Sequence, residues 1–388
     1  SSAPEPAHVP SDRIAALERL RAAAILGVVA IHATSPLLAS LPDGPSAHTS
    51  RFWMLAALNQ AARFSVPGFF LLAGFLTAVQ AEQVPGGGPG REYLRRRLAR
   101  LLVPYVTWSV ALFALPMLAH RETDAADLAS RFLLGWTFTG AYFLLALAQL
   151  TLLAPVLVRI VRKGRRAVLI LWSVLFVGTG IFYGAAAYGR GVSALHLREA
   201  FSASLSLFFV WGSFFVAGLW AGRERALLLP WLGERRMLWA GLGAALYVAS
   251  LWEFRVVLEA TRSLGLAASF LKPTSALFAL AACAFLLGTP RSGRAERAAR
   301  AAEGGAAVGR EAAVPWWLTI ASGSFPIYLL HGSVVLSLVG IASPRWQAVV
   351  TSPVGPLLLV ALGVAIPLLF YWTAGKLAPR WARFAMFG

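Results

Sequence analysis

Apolar stretches of about twenty residues alternate with short polar connections along almost the whole chain. Each stretch is long enough to cross the roughly 30 Å hydrocarbon layer of a bilayer as a helix. We place ten of them, over residues 20–41, 52–79, 101–119, 132–158, 167–186, 204–222, 237–252, 264–288, 316–341 and 354–375. The pattern predicts an all-α, polytopic membrane protein with about ten transmembrane helices in one bundle.

The composition supports this prediction and adds an orientation. Hydrophobic residues make up 58% of the 388 residues, charged residues only 13%, and the mean hydropathy is +0.67. Soluble domains are about a quarter charged. Of the 35 Lys and Arg residues, 25 fall in connections on one side of the predicted bundle and eight on the other. This bias predicts that both termini are cytoplasmic, and that the basic loops face membrane lipids and not nucleic acid.

The transmembrane domain is expected to cover residues 20–376. A cytoplasmic tail is expected over 1–19 and a second one over 377–388. The connection 289–314 is low in complexity and rich in Ala, Arg and Gly, so we expect a mobile cytoplasmic loop there.

Few ionisable residues lie inside the predicted spans. His32, His331, Arg63 and Lys272 are the exceptions, and no Asp or Glu falls in the middle of a span. Such groups are costly in a bilayer and usually face a polar cavity, so each is a candidate site residue. A lone transmembrane histidine is often only a hydrogen bond between helices. Two histidines with an arginine at similar depth favour a shared polar cavity.

Helical spacing groups polar residues on two of these spans. Arg21 and His32 are eleven residues apart, about 16 Å along a helix axis, and lie on nearly the same face. In the ninth span, Ser324, Tyr328 and His331 follow one another at i, i+4 and i+7. Each set therefore forms a polar stripe that can line a passage into the bundle.

The second span carries an i, i+4 pair of its own. Asn59 and Arg63 are one turn apart and are followed by GFFLLAG over 68–74. The small residues of that segment allow another helix to approach closely.

The third span opens with an arginine cluster. Arg97 and Arg100 share one helix face at the start of the apolar run, and we interpret Arg95 and Arg96 as topological anchors. Guanidinium groups donate two parallel hydrogen bonds to phosphate oxygens. The pair therefore suits a polyphosphate ligand on the cytoplasmic side.

Four segments, in order along the chain, resemble signature motifs of the acyltransferase-3 family of bacterial integral-membrane acyltransferases. They are RAAAILGVVAIH (21–32), VPGFFLLAGFL (66–76), RRLARLLVPY (96–105) and FPIYLLHGSVV (325–335). Two departures stand out. Ala73 occupies a position where serine is usual, and TGAYFLLALAQL (139–150) keeps only Tyr142 and Phe143 of a frequent His/Trp/Phe cluster.

The resemblance implies an O-acyltransferase of the bacterial inner membrane that moves an acyl group, usually acetyl, from cytoplasmic acyl-CoA to a hydroxyl of a carbohydrate or lipid-linked glycan. No metal is expected. His32 is expected to act as general base, because burial favours the neutral imidazole. Arg21 would orient the donor or His32, and His331 would bind the acceptor or support His32.

The other site residues divide between the two substrates. Arg97 and Arg100, with Arg63 and Tyr142, are expected to hold the acyl-CoA donor. The acceptor is expected to contact Asn59, Tyr328 and Ser324.

Two other functions remain open from the sequence. A transporter or flippase would use the polar pathway without chemistry, although proton-coupled transporters usually carry the membrane carboxylates that are missing from these spans. A small-molecule sensor would bind acyl-CoA without turnover.

Overall fold

The chain folds as a set of helices. A computed structural model describes residues 11–41, 49–84, 89–118, 124–189, 191–288 and 315–388, and all regular structure in these ranges is helical. The expected mobile loop, 289–314, lies outside the described residues. The helices are α1 (Ser11–Ala39), α2 (Ser50–Ala61), α3 (Ser65–Glu82), α4 (Arg91–Leu118), α5 (Ala125–Leu134), α6 (Tyr142–Arg162), α7 (Arg165–Tyr188), α8 (Val192–Ser204), α9 (Phe208–Arg223), α10 (Arg225–Glu234), α11 (Arg236–Thr261), α12 (Leu264–Ala267), α13 (Pro273–Leu287), α14 (Trp316–Ser322), α15 (Ser324–Val339), α16 (Pro344–Val350), α17 (Gly355–Leu377) and α18 (Arg380–Phe387).

The prediction of an all-α polytopic membrane protein is confirmed, but the count of ten spans is wrong. In the described ranges, six helical segments are long and apolar enough to cross a membrane. They are Ala15–Ala39, Ser50–Glu82, Tyr142–Arg162, Arg165–Tyr188, Arg236–Thr261 and Gly355–Leu377. Two bent pairs, α8 with α9 and α14 with α15, raise the number to eight if each pair is one span.

Local sequence shapes the third and the eighth predicted spans. The eighth is reduced to α13, which has only 15 residues, because Lys272 forms its N-cap and Pro273 fixes its first turn. The third lies in α4, a helix of 28 residues whose first two turns read REYLRRR and whose later part, 101–118, contains no charged residue.

The predicted ninth span is bent. Its two parts, α14 and α15, meet at Gly323 with an angle of 79° between them. The bend places Ser324 at the start of α15 and leaves Tyr328 and His331 in the straight part that follows.

Close approach of backbones holds α3 against α9. A Cβ added at Gly74 would lie 2.1 Å from the carbonyl oxygen of Phe215, and one added at Gly218 would lie 2.0 Å from that of Leu71. No side chain fits at either position, so the backbones touch directly, as in other small-residue contacts between membrane helices. The close packing predicted for the segment 68–74 is confirmed.

Helix α1 lies at the centre of the bundle. It packs against α2, α3, α13, α14, α15 and α17. A residue in the middle of α1 is therefore surrounded by side chains from several helices, and His32 occupies such a position.

Candidate active site

The two intramembrane histidines meet. His32 on α1 and His331 on α15 have ring centroids 5.1 Å apart, with an angle of 53° between the ring planes. His331 is fully buried, whereas His32 is only half-buried. The sequence predicted that both histidines face one shared polar cavity, and their close approach agrees with that prediction. The difference in exposure leaves His32 as the ring that a substrate can reach.

Backbone hydrogen bonds fix the tautomer of His331. Its Nδ1 lies 3.0 Å from the carbonyl oxygen of Ile327 and 2.8 Å from that of Tyr328. A carbonyl oxygen only accepts, so Nδ1 carries the proton and Nε2 carries a lone pair. That Nε2 is buried and has no hydrogen-bond partner among the described residues. An unused acceptor thus lies in the interior beside His32.

Arg63 lies in the short 3-10 turn, Ala62–Phe64, between α2 and α3. Its Nε and Nη2 donate to Asn59 Oδ1 at 3.0 and 2.5 Å, and its guanidinium lies 4.5 Å from the centre of the Phe270 ring. The predicted i, i+4 contact between Asn59 and Arg63 is therefore present. Because only Nε and Nη2 have partners in the described structure, Nη1 is left to bind a ligand.

Asn59 connects this arginine to the histidine helix. Its Nδ2 donates to Thr34 Oγ1 at 2.9 Å and to Ser35 Oγ at 3.1 Å. Both hydroxyls belong to α1 and follow His32 by two and three residues. One buried polar network therefore joins Arg63 to the helix that carries His32.

A large cavity opens beside the first turns of α4. Its volume is about 940 Å³, and we call it the arginine cavity. Its lining is mainly apolar but includes a set of polar and charged side chains: Arg21, Gln80, Glu92, Tyr93, Arg96, Arg97, Arg100, Ser322 and Ser324. Phe387 of α18 adds an apolar wall. The sequence pointed to Arg97 and Arg100, and the structure adds Arg96, which the sequence suggested only as an anchor.

Three of the arginines of this cavity have partners of their own. Arg97 Nη1 donates to the hydroxyl of Tyr93 at 2.8 Å, Arg21 pairs with Glu18 at 2.8 Å, and Arg96 pairs with Glu92 at 3.3 Å. Arg21 thus lies at the arginine cavity, and no hydrogen bond joins it to His32 in the described structure.

Aromatic rings separate the arginine cavity from the histidines. Tyr328 lines the cavity, and its ring centroid lies 5.3 Å from that of Phe143 and 6.2 Å from that of His331. Its hydroxyl donates to the carbonyl oxygen of Gly140. Phe69 and Phe143 also line the cavity, and their ring centroids lie 6.0 Å apart. We call Phe69, Phe143 and Tyr328 the aromatic wall.

The residues predicted to bind the two substrates divide differently between the arginine cavity and the interior. Ser324 and Tyr328, predicted to contact the acceptor, line the arginine cavity together with Arg97 and Arg100. Arg63 and Tyr142, predicted to hold the donor, do not line it. Tyr142 stacks instead on Trp211 at 6.1 Å.

Trp211, which stacks on Tyr142, and Gln60, which neighbours Asn59, could not be identified as site residues from the sequence. Trp211 is fully buried and stacks on Phe70 at 4.9 Å. In an apolar segment such as VWGSFF, one more aromatic residue looks like core packing. Gln60, one residue from Asn59, is fully buried as well. Within the described residues, no three His, Cys, Asp or Glu side chains come together as a metal site would require.

These parts define a class of protein. A helical membrane protein with two neighbouring imidazoles, a buried guanidinium and an adjoining arginine-rich cavity has the groups that a transferase needs for a general base and a phosphate-bearing donor. A family model described as an acyltransferase domain matches residues 14–372, and the chain belongs to this acyltransferase-3 family of membrane acyltransferases. No curated protein and no solved structure matches the chain.

Proposed function

We propose that this membrane acyltransferase takes an acetyl group from cytoplasmic acyl-CoA and places it on a hydroxyl of a carbohydrate or lipid-linked glycan. One observation supports this most directly: the arginine cavity ends at Tyr328, whose ring also contacts His331 beside His32. A phosphate-binding cavity and a base are therefore one aromatic ring apart. The protein works in the bacterial inner membrane with both termini in the cytoplasm.

The size and charge of the arginine cavity support acyl-CoA as the donor. A volume of about 940 Å³ is at the upper end of the range for ligand pockets, roughly 300–1,000 Å³. Arg96, Arg97 and Arg100 lie on one helix at its rim and can each donate paired hydrogen bonds to phosphate oxygens. The acyl end of the donor would point inward, toward the aromatic wall.

His32 is the general base in this proposal. It is half-buried, so an acceptor hydroxyl can reach it, whereas fully buried His331 is shielded. His32 removes the hydroxyl proton as the oxygen attacks the thioester carbonyl carbon. The carbon–sulfur bond then breaks, and the CoA thiolate takes the proton from His32. The ester and free CoA are formed with no net proton gained or lost.

His331 and Arg63 assist this step. The lone pair on His331 Nε2 faces a buried interior and can accept a hydrogen bond from His32 once that ring is protonated. Arg63 has one guanidinium nitrogen without a partner in the described structure, and it can donate to the oxyanion of the tetrahedral intermediate. Tyr142, stacked on Trp211, gives the acceptor sugar an aromatic face on the histidine side of the wall.

A thiol-release assay tests the proposal. The purified protein, in detergent or lipid discs, is mixed with acetyl-CoA and a panel of glycan acceptors, and free CoA and acetylated glycan are both measured. We expect CoA release that depends on the acceptor and matches ester formation one to one. Movement of the glycan across a vesicle membrane without CoA release would identify a flippase and overturn the proposal.

A further inference from the structure

Lys272 is a second buried cation, and the mechanism above does not use it. The side chain is fully buried at the N-cap of α13. Its ammonium donates to Gln60 Oε1 at 2.8 Å and to the carbonyl oxygen of Ser250 at 3.0 Å, and it lies 5.5 Å from the centre of the Phe254 ring. None of the ion pairs between described residues includes Lys272. A buried charge that is hydrogen-bonded only to neutral groups is destabilising. Such groups in membrane proteins are usually functional.

The hydrogen bonds lead from Lys272 toward the active site. Because the Oε1 atom of Gln60 accepts from Lys272, its Nε2 points the other way and donates to Asn59 Oδ1 at 3.4 Å. The same Oδ1 accepts both bonds from Arg63. Hydrogen bonds through Gln60 and Asn59 therefore connect Lys272 to Arg63 in series.

The two ends of this series fix its direction. Ammonium and guanidinium groups only donate hydrogen bonds, so both amides must turn an oxygen toward a cation. Only one orientation of the Gln60 amide accepts a hydrogen bond from Lys272 and donates one to Asn59 at the same time. Asn59 must then send its Nδ2 to Thr34 and Ser35 on α1, at 2.9 and 3.1 Å.

We propose that Lys272 is a positioning residue that fixes the Gln60 and Asn59 amides and so holds the Arg63 guanidinium beside His32. Without Lys272, only the Ser250 hydroxyl among the described residues, 3.3 Å from Oε1, contacts the Gln60 oxygen, and the amide can turn that oxygen toward Asn59 Oδ1. The two oxygens would repel each other and displace Asn59 Oδ1, the only hydrogen-bond acceptor that the guanidinium has in the described structure. The inference rests on the proposed role of Arg63 in stabilising the oxyanion.

A double-mutant cycle in turnover tests whether Lys272 acts through Arg63. Lys272→Met keeps the length of the side chain and removes the donor. We expect it to lower kcat by about 10- to 100-fold, the effect of a small misplacement of a catalytic group, with little change in the KM for acetyl-CoA. In an Arg63→Ala background the same substitution should have almost no further effect. Losses that multiply would overturn the proposal.

Lys272→Arg and Tyr183→Phe provide the matched comparisons. Arginine restores a buried cationic donor, so part of the lost kcat should return. Tyr183 is fully buried and donates one hydrogen bond, to the carbonyl oxygen of Leu266 at 3.1 Å, outside the series. Tyr183→Phe should lower stability without the fall in kcat that Lys272→Met produces. An equal fall in kcat for Tyr183→Phe would show that Lys272 has only a structural role.

Gln60→Glu separates positioning from stability. The new carboxylate keeps the contact with Lys272 as an ion pair but has no N–H for Asn59. The carboxylate oxygen that replaces this N–H would repel Asn59 Oδ1 and displace it from Arg63. We expect kcat to fall as in Lys272→Met while the unfolding temperature in detergent stays at or above that of the wild type. A fully active Gln60→Glu protein would contradict the proposal.

Failure of the proposed function would look different. A wild-type protein that releases no CoA with any acceptor, or an Arg63→Ala protein with unchanged kcat, would remove the proposed mechanism. The unfolding temperatures of the wild type, both single variants and the double variant need no substrate. Non-additive changes among these four proteins support the connection between Lys272 and Arg63, and additive changes overturn it.

Discussion

His32 and His331 lie 5.1 Å apart between ring centroids, yet only His32 is accessible. The backbone of α15 holds His331 through Nδ1, while no hydrogen bond fixes the ring of His32 in the described structure. This arrangement suits a pair in which the free imidazole of His32 exchanges the proton and the fixed imidazole of His331 stabilises the protonated His32 ring.

Replacement of His32 should remove catalysis but not donor binding. We expect His32→Ala to lower the transfer rate by about 10²- to 10⁴-fold, the usual contribution of a general base. Binding of CoA should be unchanged, because His32 does not line the arginine cavity. Initial rates and calorimetry with CoA measure the two effects. Turnover close to the wild-type value would exclude His32 as the base.

The arginines at the rim of the arginine cavity, Arg96, Arg97 and Arg100, should control the affinity for the donor. Arg97→Ala or Arg100→Ala should raise the KM for acetyl-CoA by about 10-fold or more, since a charge-assisted hydrogen bond is worth roughly 1.5–3 kcal/mol. Lysine should restore only part of the affinity. Arg95 is exposed, pairs with Glu92 and does not line the cavity, so Arg95→Ala is the matched control. If all three alanine variants behave alike, the arginines are topological anchors only.

The aromatic wall should select short acyl groups. Phe143 packs against Phe69, Phe70 and Tyr328, with ring centroids 6.0, 4.7 and 5.3 Å away. Phe143→Ala should enlarge the inner end of the cavity and raise kcat/KM for butyryl-CoA relative to acetyl-CoA. Phe208, which is 39% exposed and does not line the cavity, is the control position for alanine. An unchanged ratio would mean that the wall does not contact the acyl group.

The orientation of the bundle can be tested with single cysteines. Cys283 is buried, so Cys283→Ala gives a background without thiols. In it, Ser343→Cys should react with a membrane-impermeant reagent on intact cells, and Lys163→Cys should react only after lysis. Both positions are exposed in the fold. The reverse pattern would put the rim arginines outside the cell, away from acyl-CoA.

The contact between α3 and α9 should be sensitive to a single methyl group. Gly74→Ala would bring a Cβ within 2.1 Å of the Phe215 carbonyl oxygen. Overpacking of this kind costs about 1–3 kcal/mol. Gly178 has open space around it, so Gly178→Ala should leave stability unchanged or slightly raised. Thermal unfolding in detergent measures both, and equal midpoints would argue against direct backbone contact.

Relationships within one helix could be predicted from the sequence. Spacing alone gave the contact of Asn59 with Arg63 and the shared stripe of Tyr328 and His331, because helical periodicity is fixed. The small-residue segment also predicted close packing, though not the identity of the partner helix. The similar predicted depth of His32 and His331 suggested a shared cavity, and the two rings lie 5.1 Å apart.

Relationships across the bundle could not be predicted in the same way. Depth alone does not say which side chains line a given cavity, and so the sequence could not show that Ser324 lines the arginine cavity while Arg63 does not. The bend at Gly323 and the short α13 changed the span count, because one glycine or one Lys-Pro pair outweighs the hydropathy of a long apolar run. The series from Lys272 to Arg63 joins residues about two hundred positions apart.

A cavity that enters a membrane protein endangers the proton gradient that the membrane maintains. The interior of the bundle contains two buried basic side chains, Arg63 and Lys272, joined through Asn59 and Gln60, and the aromatic wall lines the cavity next to His331. Water channels exclude protons and other cations with a fixed positive charge in the pore. Under the proposed function, the same basic groups would let the bundle admit a large anionic donor while opposing the passage of cations.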